Sequence, residues 1–191
     1  AAGQSEVMLV GGAYNAERRD MLLLFELGGF LRTGSFAPVF AREDAPGLIT
    51  GSAAAFLVLE SAEHAKARGA HAHARLSHVG AHRSRRQPGS VAKGLDQLLG
   101  GFGPAAPGAL AISAATGCAG ITAEEAAAIA AAAPKAKRIA TGDLVGHAVE
   151  AAFPVSVALA AAALSTDAAQ EAIVTGAAHW RGEGAARLVK A

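Results

Sequence analysis

Residues 151–164, "AAFPVSVALAAAAL", carry no charged side chain. A helix made from such a run has no polar stripe to turn toward water, so protein must cover it all round. The run contains Pro154 and Ser156 and falls short of the ~20 residues needed to cross a bilayer. It therefore predicts a buried core helix, read here as starting at Asp143 and running to Leu164. A chain of 191 residues is long enough for one domain with a real core and short for two.

Hydrophobic residues are 52% and charged residues 17% of the chain, which describes a globular protein. The net charge of +1 argues against a dedicated nucleic-acid binder. One Cys allows no internal disulfide, which fits a reducing cytoplasm. The opening "AAGQSEVMLVGG" has neither a basic start nor a long apolar stretch, so it is not a signal peptide. The first residue is Ala, and the chain reads as a cut or processed piece.

Along the chain, strand-like and helix-like runs alternate. Glu6 to Ala13 reads as a buried strand closed by two glycines, and "ERRDMLLLFELGGFLR" as a helix stopping at Gly28-Gly29. Residues 32–47 form a loop, and "GLITGSAAAFLVLES" is strand-like with small residues at its centre. Ser61 caps a short helix that ends at Gly69. "AHARLSHVGAH" is a strand, "RSRRQPGS" a basic loop, "SVAKGLDQLLGGFG" a helix and "ALAISAATG" a strand. Thr122 with Glu125 three residues on reads as a capping box opening the next helix. "KRIAT" is a short strand, and "EAIVTGAA" and "AARLVKA" are two closing strands. This order predicts an α/β domain with a mixed sheet.

Four motifs, taken in order, resemble the β-ketoacyl-acyl carrier protein synthases of the thiolase superfamily. "GLITGSAAAFLVLESAEHAKARGA" is similar to the family's "GxxxGEGAGxLVLExxEHAxARGA". Before it, Gly11, Gly12, Pro38, Phe40, Arg42, Asp44 and Gly47 fit "GGA…P-x-F-x-R-x-D-x-x-G". "TGDLVGHAVEAAF" resembles "TGHxxGAAGAVEAAF", and "TGAAHWRGEGAARLV" resembles the Gly-rich closing turn. The resemblance implies a thiolase-like layered αβαβα sandwich. Residues 1–60 would then end the N-terminal half and residues 61–191 form the C-terminal half. The family's nucleophilic Cys would lie upstream of this chain.

The family reaction is a decarboxylative condensation: a Cys thiolate carries the acyl chain, and two His residues stabilise the enolate formed from a malonyl thioester. The first His position falls at Ala114, which offers no proton. The second falls at Asp143, an acceptor of the wrong charge for an enolate. His147, four residues on, is either a substitute or an i,i+4 partner of Asp143 on one helix face. Arg138 stands at the family Lys and Glu125 at the family Glu. Cys118 is read as a small buried thiol, with a replacement nucleophile as the rival. Trp180, Arg181 and Glu183 crowd a turn that the family builds from small residues.

Asp143 is expected to cap the helix that follows it. His71 and His73, placed on one strand face with His64, His78 and His82 nearby, read as solvated histidines rather than a metal site. No cofactor and no metal are expected. Arg83, Arg85 and Arg86 form a solvated loop or a docking site for an acidic carrier protein. The resemblance implies fatty acid or polyketide chain elongation, with acyl carrier protein and a synthase-like chain, or the upstream half of the same product, as partners. The leading reading is a non-catalytic subunit like a chain-length factor. The rival is a diverged active synthase using the upstream Cys with His147.

Overall fold

The computed structural model describes residues 5–42 and 44–191. The reading of the first residues as free of a signal peptide lies partly outside them. The elements follow the expected alternation. They are β1 (Val7–Tyr14), α1 (Arg19–Leu27), β2 (Ala53–Glu60), α2 (Ala62–Ala67), β3 (Arg75–His82), α3 (Ser90–Gly100) and β4 (Leu110–Ser113). Then come α4 (Ile121–Ala132), β5 (Lys137–Ala140), α5 (Gly142–Val145), α6 (Ala152–Ser165), β6 (Glu171–Ala177) and β7 (Glu183–Val189).

β1 and β2 form a two-stranded antiparallel hairpin. The other strands form a mixed sheet in the order β3-β7-β6-β4-β5, with β4 parallel to β5 and β6, and β7 antiparallel to β3 and β6. The charge-free run becomes α6, and it lies between the two sheets. Ala160 and Leu164 pack with Leu110, Ile112, Val174 and Leu188 of the large sheet. Val155 and Leu159 pack with Tyr14, Ala53 and Ala55 of the hairpin. On the other side of the large sheet, Val91, Leu95 and Leu99 of α3 and Ala128 of α4 meet Ile173, Ala177 and Ala185. Alternate residues of β6 thus enter different cores, as a strand period of two requires.

The layers run helix, sheet, helix, sheet. No helical layer covers the outer face of the hairpin among the described residues. Leu9 is 67% exposed, and Phe56 and Val58 are each 62% exposed.

Four local readings are corrected. The strand read as buried and closed by Gly11-Gly12 instead runs through both glycines to Tyr14, paired with β2, and Val7 to Val10 are exposed. The expected helix from Asp143 to Leu164 is broken: α5 stops at Gly146 (φ 74°), and a 3-10 turn, Val149–Ala151, precedes α6. A side chain cannot be placed on Gly51 or Gly146, because these two backbones touch. A Cβ on Gly51 would fall 1.7 Å from the Val145 carbonyl oxygen. The capping box at Thr122 does not form: α4 starts at Ile121, Thr122 is buried inside it, and Glu125 turns to the sheet. Glu124 instead caps α3, accepting from the backbone N–H groups of Gly89, Val91 and Ala92 at 2.7–3.1 Å. His71 and His73 precede β3 in a loop, so they share no strand face. Ser61 does cap α2, accepting from the His64 N–H at 3.1 Å.

An open apolar face of this size favours association. The 191-residue chain alone should self-associate. Replacing Phe56 and Val58 with Ser should reduce association without lowering the thermal midpoint, since neither side chain is buried. Sedimentation velocity beside thermal melts tests this; a wild-type monomer would overturn it.

Candidate functional site

Ala114 follows β4 directly, is 6% exposed, and donates its N–H to the Thr175 carbonyl at 2.8 Å. Beneath it, Ser113 Oγ donates to Glu125 Oε1 at 2.6 Å and accepts from the Ala115 N–H at 3.0 Å. Thr175 Oγ1 donates to the same Glu125 oxygen at 2.7 Å. Glu125 is completely buried. Burial pushes its carboxyl pKa up, while the Ser113 and Thr175 hydroxyls hold it down. Glu125 thus braces β4 against β6 and shapes the turn that carries Ala114.

Asp143 lies in the first turn of α5, but its carboxylate does not serve that helix. Oδ1 accepts from the Val39 N–H at 2.7 Å, closing the 3-10 turn Val39–Ala41 across 104 residues of chain. The expected cap on its own helix is therefore wrong, and so is an i,i+4 pair with His147, because the helix ends between them. Arg138 stacks its guanidinium carbon 4.2 Å from the centre of the Phe40 ring, a cation–π contact.

The break at Gly146 turns His147 inward. Its N–H donates to the Ile49 carbonyl at 2.7 Å, and its own carbonyl accepts from Gly51 N–H at 3.2 Å. His147 is 8% exposed, and its pKa falls to about 4 through burial first, then the nearby charges of His179 and Arg42. The ring is therefore neutral at pH 7. His179 packs 4.7 Å from Phe30 and 5.6 Å from Phe25, between ring centres. Its pKa is also lowered, by burial and then by Arg86. Buried Arg42 donates to the carbonyls of Ala37 and Gly47, each at 2.9 Å. Gly117 (φ 84°) lies against it: a Cβ there would fall 2.7 Å from Arg42 Nη1. Burial raises the pKa of Cys118, so this is a buried thiol without the lowered pKa of a nucleophile.

Of the sequence-marked residues, Ala114 and Glu125 share one end of the β4–β6 pair, while Asp143 and His147 stand on separate backbone segments. His179 was missed: nothing in sequence spacing links it to His147, and only the sheet order brings the 178–182 turn to that place. The crowding expected from Glu183 does not occur. Its side chain turns away into a buried niche under α3, and Trp180 is 69% exposed. Arg86 is engaged with Glu183, which leaves Arg83 and Arg85 as the exposed cations of that loop. Arg85, Arg86, His179, Trp180 and Arg181 line a shallow depression of about 340 Å³. No group of three or more His, Cys, Asp or Glu able to hold a metal occurs among the described residues.

This architecture occurs in solved structures. The ishigamide ketosynthase/chain length factor superposes with a TM-score of 0.80 at 23% identity, over 99% of this chain and 55% of that one. A β-ketoacyl synthase from Burkholderia phymatum STM815 gives 0.84 at 20% identity, over 99% and 56%. The fold is that of the β-ketoacyl synthases. A type II PKS acyl-carrier protein in complex with its ketosynthase bound to the hexaketide, AntDE:AntF, gives 0.79 at 17% identity, over 99% and 57%. The chain thus spans little more than half the length of these ketosynthase-fold structures. No family model and no curated protein sequence matches it.

Two outcomes follow from the geometry. As pH falls, the unfolded chain protonates at its ordinary His pKa while folded His147 stays neutral. Stability is fully present above pH 6.5 and declines toward pH 4, by about 3 kcal/mol from this group. Denaturant melts of wild type and His147→Gln across that range measure it; equal slopes would overturn it. Asp143→Ala should cost about 0.5–2 kcal/mol by uncapping Val39, and Asp143→Asn less, in the same melts.

Proposed function

We propose that this chain is part of a non-catalytic, chain-length-factor-like subunit in fatty acid or polyketide chain elongation. One observation carries the reading. The two positions that the family motifs reserve for enolate-stabilising histidines hold a buried Ala114 and an Asp143 whose carboxylate is committed to the Val39 N–H. Neither can donate to developing negative charge. The ketosynthase fold supports the assignment to chain elongation, and one of the similar structures is itself a ketosynthase/chain length factor. An acyl carrier protein is the proposed partner, met by exposed Arg83 and Arg85 through charge steering. A synthase-like chain, or an upstream half of the same protein, would cover the hairpin.

His147 and His179 favour a second reading. Two neutral imidazoles near each other can donate hydrogen bonds. A diverged active synthase would use them with a Cys from another segment.

The complete gene product, purified with its companions, separates the two readings. The leading reading expects its malonyl-thioester decarboxylation, if any, to be unchanged by His147→Gln, while product length changes when the subunit is exchanged. A fall of about tenfold or more with His147→Gln, in otherwise folded protein, would replace it with the enzyme reading.

A further inference from the structure

Among the described residues Arg86 makes the densest set of side-chain hydrogen bonds, and nothing in the proposed function uses it. Nε and Nη2 donate to the Ala178 carbonyl at 3.0 and 2.5 Å, and Nη2 also reaches the Gly182 carbonyl at 3.0 Å. Nη1 pairs with Glu183 Oε1 and approaches Ser84 Oγ at 3.3 Å. Ala178 and Gly182 are the two ends of one turn, joined by an Ala178 N–H to Gly182 carbonyl bond of 3.0 Å. The guanidinium fork therefore spans the base of the turn, a geometry that a Lys ammonium cannot reproduce.

The other end of the ion pair is fixed. The Glu183 side chain is completely buried, accepts from Ser84 Oγ at 3.0 Å, and lies 3.1 Å from His82 Nδ1. Gly94 of α3 leaves the room: a Cβ there would stand 3.2 Å from the Glu183 carboxyl carbon. At the tip of the same turn, His179 packs edge-on to Phe25 and tilted against Phe30, and Trp180 meets Phe30 edge-on at 6.2 Å. The turn thus reaches from the large sheet to the segment after α1.

We infer that the Arg86–Glu183 pair is a latch that seats the 178–182 turn and so positions His179 against Phe25 and Phe30. Arg86 is a positioning residue: it acts on His179 through the turn's backbone. The latch also sets the wall of the basic depression, because His179, Trp180 and Arg181 all ride on the turn.

The test uses the complete gene product. Amide exchange over residues 177–182 and the pH profile of His179 carbethoxylation by diethyl pyrocarbonate, resolved by peptide mass, are compared among variants. Arg86→Gln should speed exchange of the turn about tenfold and raise His179 reactivity, while β6 and β7 outside it hold their protection. The His179 profile should move toward that of an ordinary imidazole. Arg86→Lys should restore only part of the protection. Arg85→Gln, which removes a neighbouring charge but none of these bonds, should match wild type. Leaving Glu183 buried without its partner threatens folding, so Arg86→Gln/Glu183→Gln is made as well and should loosen the turn in the same way. Wild-type exchange and wild-type His179 reactivity in either Arg86 variant would overturn the latch, as would equal loosening by Arg85→Gln.

Discussion

Everything in this molecule leans on α6. A helix of Ala, Val, Leu and Phe has no side that water would tolerate, and here both of its broad faces are given to sheets. One face meets Leu110, Ile112 and Val174; the other meets Tyr14, Ala53 and Ala55. The many alanines let the sheets come close, and the few larger side chains key the layers together. Ser156, the one polar group in the middle, is satisfied internally: it donates to the Ala152 carbonyl at 2.8 Å and shares a 2.6 Å bond with Thr141. The segment carrying Thr141 is thereby tied to the central helix, and Asp143 follows it two residues on.

The site itself is a product of backbone contact more than of side-chain choice. Gly51 and Gly146 press together where the segment after α5 meets the approach to β2. Only bare backbone fits there, and the resulting bridge between Thr50 and His147 orients the imidazole inward. Asp143 works the same seam from the other side by holding Val39. Two distant stretches, residues 39–51 and 143–147, are thus joined by short hydrogen bonds and by the absence of side chains.

The fold was legible because its signals are local. The charge-free run, the Ser61 cap and the glycine stops after α1 and α2 act within a few residues and appear as read. The misreadings share a cause. Thr122 and Glu125 have capping-box spacing, yet Glu125 finds Ser113 and Thr175 in the sheet core, a tertiary demand that overrides a local one. The helix from Asp143 fails because Gly146 must meet a glycine nearly a hundred residues earlier. Ala114 and Asp143 were placed by motif alignment, whereas the proximity of His179 to His147 and the grip of Arg86 on its turn arise from strand order, which no spacing encodes.

The sandwiching of α6 also shapes how the chain reaches this state. The helix that covers the inner face of the β1–β2 pair lies roughly ninety residues downstream of it. A two-stranded sheet is marginal on its own, so the β1–β2 pair depends on that helix for stability. The contacts that stabilise it are long-range in sequence, which slows folding and prolongs the lifetime of sticky intermediates. The stability of the β1–β2 pair is thereby coupled through α6 to the large sheet.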